Sequence, residues 1–137
     1  MLQNRSMPAS TVIPVLAYPA VPEAVAWLSA AFGFTLRLGI GDHRAQLNAG
    51  DGAIVITGGA IAGEARGRDS IMVRVEDARA HCDRAAAHGA TIAMTPTDFP
   101  YGERQYTAVD LGGHHWTFSQ SLADVDPADW GGVLVDE

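Results

Sequence analysis

The sequence PYGERQYTAVDLGGHHWTFSQ, residues 100–120, predicts a complete β-hairpin. Its two arms, residues 105–109 and 114–119, are rich in Tyr, Thr, Val, Trp and Phe, which favour strands. Between them, residues 110–113 (Asp-Leu-Gly-Gly) have the composition of a turn. The segment therefore predicts two antiparallel strands, which the rest of the chain has to cover on at least one side.

The two faces of this hairpin are expected to differ in chemistry, because side chains alternate along a strand and pair across a hairpin. If the turn closes at residues 110–113, one face carries mainly polar side chains: Arg104, Tyr106, Ala108, His115, Thr117 and Ser119. The other face carries mainly apolar ones: Thr107, Val109, Trp116 and Phe118. The apolar face would pack against a helix, which leaves the polar face as a candidate binding wall.

The composition indicates an ordinary globular protein with one domain. The chain has 137 residues, of which 47% are hydrophobic and 18% are charged. Its net charge of −7 argues against nucleic acid or an anionic membrane surface as a partner, since both attract clustered Lys and Arg. Cys82 is the single cysteine, so no intrachain disulfide can form. Without a long apolar run or a signal-peptide pattern, we expect a cytoplasmic protein.

The first half of the chain predicts a strand, a helix and three further strands. After a strand at residues 11–18, the helix begins near Pro22, has an apolar face and ends at Gly33. The three strands that follow are predicted at residues 34–38, 44–48 and 53–57. A glycine-rich stretch, residues 58–67, is the predicted linker to the second half.

The second half repeats this plan. Residues 70–75 alternate strictly between apolar and polar side chains, as a strand does, and Asp77 can cap a helix that ends at about His88. A short strand at residues 91–94 and a proline-containing loop at residues 95–102 lead into the hairpin.

These elements predict an α+β fold built from two βαβββ modules, residues 11–60 and 69–120. The modules are expected to form one concave mixed sheet with the helices on the outside. Together they make a single domain, residues 11–122. A flexible arm, residues 1–10, precedes it, and a tail, residues 123–137, follows it.

The order and spacing of several short motifs resemble the vicinal oxygen chelate superfamily. This superfamily includes glyoxalase I, extradiol dioxygenases, fosfomycin resistance enzymes and bleomycin-binding resistance proteins. The motifs are VPEAVAWL and FGF at residues 21–34, VED and HGA at residues 75–90, and YG and DLGGHHW at residues 101–116. The resemblance covers about residues 12–120, and it implies the paired-module fold, a binding cleft and a homodimer.

The metal enzymes of this superfamily hold their ion with carboxylates and histidines on the inner faces of the two half-sheets. The resemblance places the corresponding positions at Ile13, Ile56, Ser70 and Thr117, or at Val55 instead of Ile56 if the register slips by one residue. A divalent ion needs carboxylates or imidazoles to replace its water ligands. We therefore expect no metal site and no other cofactor.

The candidate ligand-binding residues are those expected on the concave face: Ser70, Met72, Arg74, Arg104, Tyr106, His115 and Thr117. Arg74 could anchor an anion or a carbonyl group, or it could simply pair with an acidic side chain. His115 is the best candidate of the five histidines, although a lone histidine is more often solvated or structurally bonded. The residues expected in the core are Trp27, Cys82, Trp116 and Phe118.

Three functions are compatible with these patterns. The favoured one is a metal-independent small-molecule binding protein of the resistance or sequestration type, which holds an aromatic or antibiotic-like ligand in the cleft of a homodimer. Without a partner chain, Ile13, Val15 and Met72 would expose apolar surface to water. The alternative is a glyoxalase-type lyase, isomerase or transferase with a non-standard metal set, or with His115 and Tyr106 as acid and base. A third hypothesis is that the cleft has lost its ligand and the protein mainly associates with partners.

Overall fold

The structure, a computed structural model, describes residues 2–59 and 69–134 and confirms two βαβββ modules. The first module contains β1 (Val15–Tyr18), α1 (Val21–Phe32), β2 (Thr35–Ile40), β3 (Arg44–Ala49) and β4 (Gly52–Gly58). The second contains β5 (Ser70–Arg74), α2 (Ala78–Ala87), β6 (Thr91–Phe99), β7 (Glu103–Val109) and β8 (His115–Ser121). A 3-10 helix, Pro127–Trp130, lies in the tail. Most of the predicted linker lies outside the described residues.

One terminus of each helix forms as the sequence predicts. Gly33 terminates α1 with a φ of 79°, a left-handed conformation that glycine adopts without strain, and its amide donates to the Ser29 carbonyl. At the start of α2, the Asp77 carboxylate accepts a 3.0 Å hydrogen bond from the Ala80 amide. These local contacts fix the end of α1 and the start of α2.

Each module forms a four-stranded mixed sheet, in the order β1-β4-β3-β2 and β5-β8-β7-β6. The prediction of a short strand at residues 91–94 followed by a loop was wrong, because β6 continues to Phe99. Its pairing with β7 is irregular between Ile92 and Thr97, on either side of Pro96. Since β6 is an edge strand, it can include a proline, which has no amide hydrogen to donate.

One continuous core joins the two modules. The helices contact each other, and Phe32 at the end of α1 packs edge-on against Trp116 and Phe118 of β8. Both β8 residues are fully buried, which confirms their predicted place in the core, and Trp27 packs at its margin. The two modules are therefore held together by aromatic packing between their helix-facing sides.

Each sheet also has a face that points away from the helices. The first open face, on the first module, is formed by Val15, Ala17, Gln46, Val55 and Thr57. The second open face, on the second module, is formed by Ser70, Met72, Arg74, His115, Thr117 and Ser119. Within the described ranges, no helix has both the length and the apolarity that crossing a membrane requires.

Candidate functional site

The second open face brings together five of the predicted ligand-binding residues. The parallel pairing of β5 with β8 sets Ser70 beside His115, Met72 beside Thr117 and Arg74 beside Ser119. Met72, on the edge strand β5, is a large apolar side chain that is 61% exposed. The face therefore combines an apolar contact with several hydrogen-bonding groups.

Tyr106 and Arg104 do not lie on this face, and their predicted placement was wrong. Tyr106 pairs with Phe118 and is fully buried under α2, where its hydroxyl is hydrogen-bonded to Nδ1 of His81. Arg104 lies on the same helix-facing side and forms a bidentate ion pair with Asp98, at 2.6 and 3.1 Å. Neither side chain can reach a molecule bound on the second open face.

The length of the hairpin loop explains this error. The Asp110 amide donates to the His114 carbonyl at 2.9 Å, so the loop has three residues, and Gly113 adopts a left-handed φ of 87°. The prediction assumed that the turn occupies residues 110–113, which shifts the pairing by one residue. A shift of one residue moves a whole strand face to the other side of the sheet. Thr107 and Val109 consequently lie on the open side, where Arg104 and Tyr106 were expected.

A hydrogen-bonded chain of side chains extends the second open face across β7. Gln105 Nε2 donates to Ser119 Oγ at 3.1 Å, and Ser119 Oγ donates to Glu103 Oε1 at 2.7 Å. Thr107 and Thr117 are hydrogen-bonded through their hydroxyls at 3.1 Å. Neither Glu103 nor Gln105 was among the candidate residues that the sequence indicated. Glu103 and Gln105 are two residues apart on β7 and therefore share a face. The sequence shows which face this is only when the hairpin register is known.

The Glu103 carboxylate is held in its charged form. Hydrogen bonds from Ser121 and Ser119, together with the positive charge of Arg74, lower the pKa of Glu103 below its ordinary value. A recess of about 520 Å³ opens beside this arginine, and its other lining residues include Asp51 from the first module and Glu76. Both modules thus contribute side chains to the space around Arg74.

His115 is the one imidazole on this face. Its Nδ1 is buried and has no hydrogen-bond partner among the residues that the structure describes. A buried polar atom without a partner is costly, and a bound polar group would relieve that cost. Because Tyr106 lies on the opposite side of the sheet, the predicted acid and base pair of His115 and Tyr106 is excluded.

The positions that correspond to the superfamily's metal ligands do not fit a metal ion. In the observed register Val55 lies on the first open face, while Ile56 is part of the core. Ser70 and Thr117 are on the second open face, and neither offers a carboxylate or an imidazole. In the described part of the chain, no group of three or more His, Cys, Asp or Glu side chains could hold a metal ion.

Comparisons with known proteins agree with this fold. The chain is similar to the solved structure of TioX from Micromonospora sp. ML1, with 34% identity and a TM-score of 0.71, over 83% of this chain and 100% of that chain. Bleomycin-binding protein from Streptomyces verticillus, solved with copper(II)-bleomycin, is 24% identical with a TM-score of 0.62, over 88% of this chain and 99% of that chain.

The fosfomycin resistance protein FosX from Listeria monocytogenes has a TM-score of 0.71 at 15% identity, over 84% of this chain and 93% of that chain. No curated protein matches the chain. The family model named Glyoxalase/Bleomycin resistance protein/Dioxygenase superfamily matches residues 12–118. With most of its length matched, the chain belongs to the glyoxalase/bleomycin resistance protein/dioxygenase superfamily.

Proposed function

We propose that this protein binds a small organic molecule on its second open face without the help of a metal ion. The observation that carries this proposal is the composition of the face, where Met72, Arg74, His115 and Thr117 share one side of the sheet. These side chains supply an apolar contact, a cation and hydrogen-bonding groups, which is the usual make-up of a ligand site. They do not supply the ligands of a catalytic metal.

The ligand class follows from these side chains. Arg74 suits a carboxylate or a carbonyl oxygen, because a guanidinium donates two parallel hydrogen bonds. Met72 suits a flat apolar surface, since a thioether packs well against aromatic rings. An aromatic, antibiotic-like compound with a polar edge combines both features. The structural likeness to the bleomycin-binding protein makes copper(II)-bleomycin a reasonable first compound to test.

We further propose that the protein is a homodimer that acts in the cytoplasm. Val15 on the first open face is 54% exposed, and Met72 on the second is 61% exposed. Apolar side chains exposed on flat sheets commonly mark a surface that associates with a partner. A second copy of the chain would cover such surfaces and would enclose a ligand bound between them.

Isothermal titration calorimetry with copper(II)-bleomycin and with metal-free bleomycin tests the binding function. Replacing Arg74 with Ala should weaken the binding of a recognised ligand roughly 10-fold to 100-fold, because a charge-assisted hydrogen bond is lost. Arg79→Ala is the matched control, since Arg79 is exposed on α2 and lies away from both open faces. Equal affinities for the two variants would show that Arg74 takes no part in binding.

An enzyme of the glyoxalase type, such as a lyase, an isomerase or a transferase, is the second candidate. The observation that favours it is the unpartnered Nδ1 of His115, which could accept or donate a proton in a reaction. Turnover of a 2-oxo aldehyde in the presence of a thiol, abolished in His115→Gln, would support this candidate. Binding without turnover, with a changed affinity in His115→Gln, would support the binding protein instead.

A further inference from the structure

The N-terminal arm contacts the first open face through its main chain. The guanidinium of Arg37 donates a 3.0 Å hydrogen bond to the Arg5 carbonyl, and Gln46 Nε2 donates a 2.8 Å hydrogen bond to the Ser6 carbonyl. The two donor side chains are themselves joined, since Arg37 donates to Gln46 Oε1 at 2.5 Å. Two consecutive carbonyl oxygens of the arm are therefore held by one linked pair of side chains.

The arm meets the first open face at a buried position. Gln46 is only 4% exposed and Val55 only 3% exposed, although both point away from the helices. Pro8 in the arm is buried as well. The corresponding central positions of the second open face, Gln105 and Ser119, are 8% and 4% exposed, and at the edge of the first open face Val15 stays 54% exposed. The arm therefore covers only the part of the first open face around Gln46.

The arm lies outside the part of the chain that the family model matches, which begins at residue 12. Its hydrogen bonds also differ from those of an added strand. They come from the side chains of Arg37 and Gln46 and reach main-chain carbonyls, which is how a protein commonly recognises a bound peptide or amide. The contact resembles the binding of a ligand more than the extension of a sheet.

We propose that the N-terminal arm is a built-in occupant of the first open face, bound there by Arg37 and Gln46 as an external peptide-like molecule would be. The arm has to leave before this face can accept another molecule. A competitor needs carbonyl oxygens for the same two donors. The arm also has to leave before a ligand in the cleft has full access to the first module. This last consequence rests on the proposed function.

Trypsin digestion of the full-length chain tests the arm contact without any ligand. Trypsin cleaves after arginine, and the Arg5–Ser6 bond lies in the segment whose carbonyls are held. The informative variant is Gln46→Glu, which keeps the size of the side chain and the acceptor for Arg37 but removes the donor to Ser6. Asn48→Asp is the matched control. It makes the same change from amide to carboxylate, two residues further along β3 and on the same side of the sheet.

Mass spectrometry should show Arg5–Ser6 cleavage in Gln46→Glu roughly fivefold faster than in the wild type or in Asn48→Asp, because cleavage follows the population of the released arm. Arg37→Gln, which loses the bond to the Arg5 carbonyl, should behave like Gln46→Glu. Near-ultraviolet circular dichroism checks that each variant is folded.

Equal cleavage rates in all folded variants, or wild-type cleavage as fast as that of a synthetic peptide of residues 2–12, would overturn the proposal. The digestion uses no ligand, so its outcome is independent of the calorimetric titrations. A failure of the proposed function would appear only in those titrations.

Discussion

The hydroxyl of Tyr18 donates a 2.5 Å hydrogen bond to Oδ2 of Asp110, and this bond connects the two modules. Tyr18 ends β1, whereas Asp110 lies at the loop between β7 and β8. The same carboxylate accepts hydrogen bonds from Trp116 Nε1 and from the amides of Gly112 and His114, each at 2.9 Å. Burial and the nearby Asp110 carboxylate raise the pKa of Tyr18, so the phenol stays a neutral donor.

Replacing Tyr18 with Phe should lower the free energy of unfolding by roughly 1.5 to 3 kcal/mol, because a buried hydrogen bond to a carboxylate is lost. Tyr101→Phe is the control, since its hydroxyl makes only a 3.4 Å contact with Gln105. Urea denaturation measures both changes. Equal destabilisation by the two variants would contradict the idea that the Tyr18–Asp110 hydrogen bond stabilises the contact between the modules.

Replacing Gly112 with Ala should also destabilise the fold, by roughly 1 to 3 kcal/mol, because a Cβ there would come within 2.6 Å of the Tyr18 ring. The ring is fully buried. Gly39→Ala serves as the control, since a Cβ at Gly39 meets nothing within 4 Å. Thermal denaturation should show a lower midpoint for Gly112→Ala and an unchanged or higher one for Gly39→Ala.

The stability of the protein should decrease as the pH falls below about 6.5, and His81 should account for part of this. Burial lowers the pKa of His81, the positive charge of Arg84 lowers it further, and the hydrogen bond to the Phe32 carbonyl acts in the opposite direction. The unfolded chain therefore binds the proton more readily than the folded protein, so acid favours unfolding until the folded-state pKa is passed. Urea denaturation from pH 7.5 to pH 5 should show a weaker pH dependence for His81→Gln than for His88→Gln, which alters an exposed histidine of the same region.

The purified protein should contain no stoichiometric transition metal and should keep its melting temperature in the presence of a chelator. The reason is chemical, since Val55, Ser70 and Thr117 offer neither carboxylates nor imidazoles at the positions where the superfamily's metal enzymes bind their ion. Inductively coupled plasma mass spectrometry measures the metal content directly. About one zinc, nickel, iron or manganese ion per chain would show that this expectation is wrong.

Sedimentation at micromolar concentration should give a dimer of the 14.4 kDa chain. Replacing Met72 with Glu should shift the equilibrium towards the monomer, because a charge would be buried against apolar surface. Ala86→Glu is the control, since Ala86 is exposed on α2, away from the open faces. A wild-type monomer, or equal dissociation of the two variants, would count against association through the second open face.

The helix ends and the alternation along β5 could be predicted from the sequence because both follow local rules. Gly33 ends α1 through its own backbone conformation, and Asp77 caps α2 through an amide three residues away. Ser70, Met72 and Arg74 share a face because a strand has a period of two, and no partner strand is needed to know it. These rules were sufficient for the α+β fold and for the β5 part of the candidate site.

The hairpin contribution to the site was decided by the tertiary structure. Sequence alone does not distinguish a loop of three residues from one of four, because the Asp110 carboxylate that organises the loop is positioned by Tyr18 and Trp116. That one-residue difference buried Tyr106 and brought Thr107 to the open side. The position of the N-terminal arm is likewise set by Arg37 and Gln46, which are distant from it in sequence. The arm has no sequence pattern of its own, so only the folded structure shows where it lies.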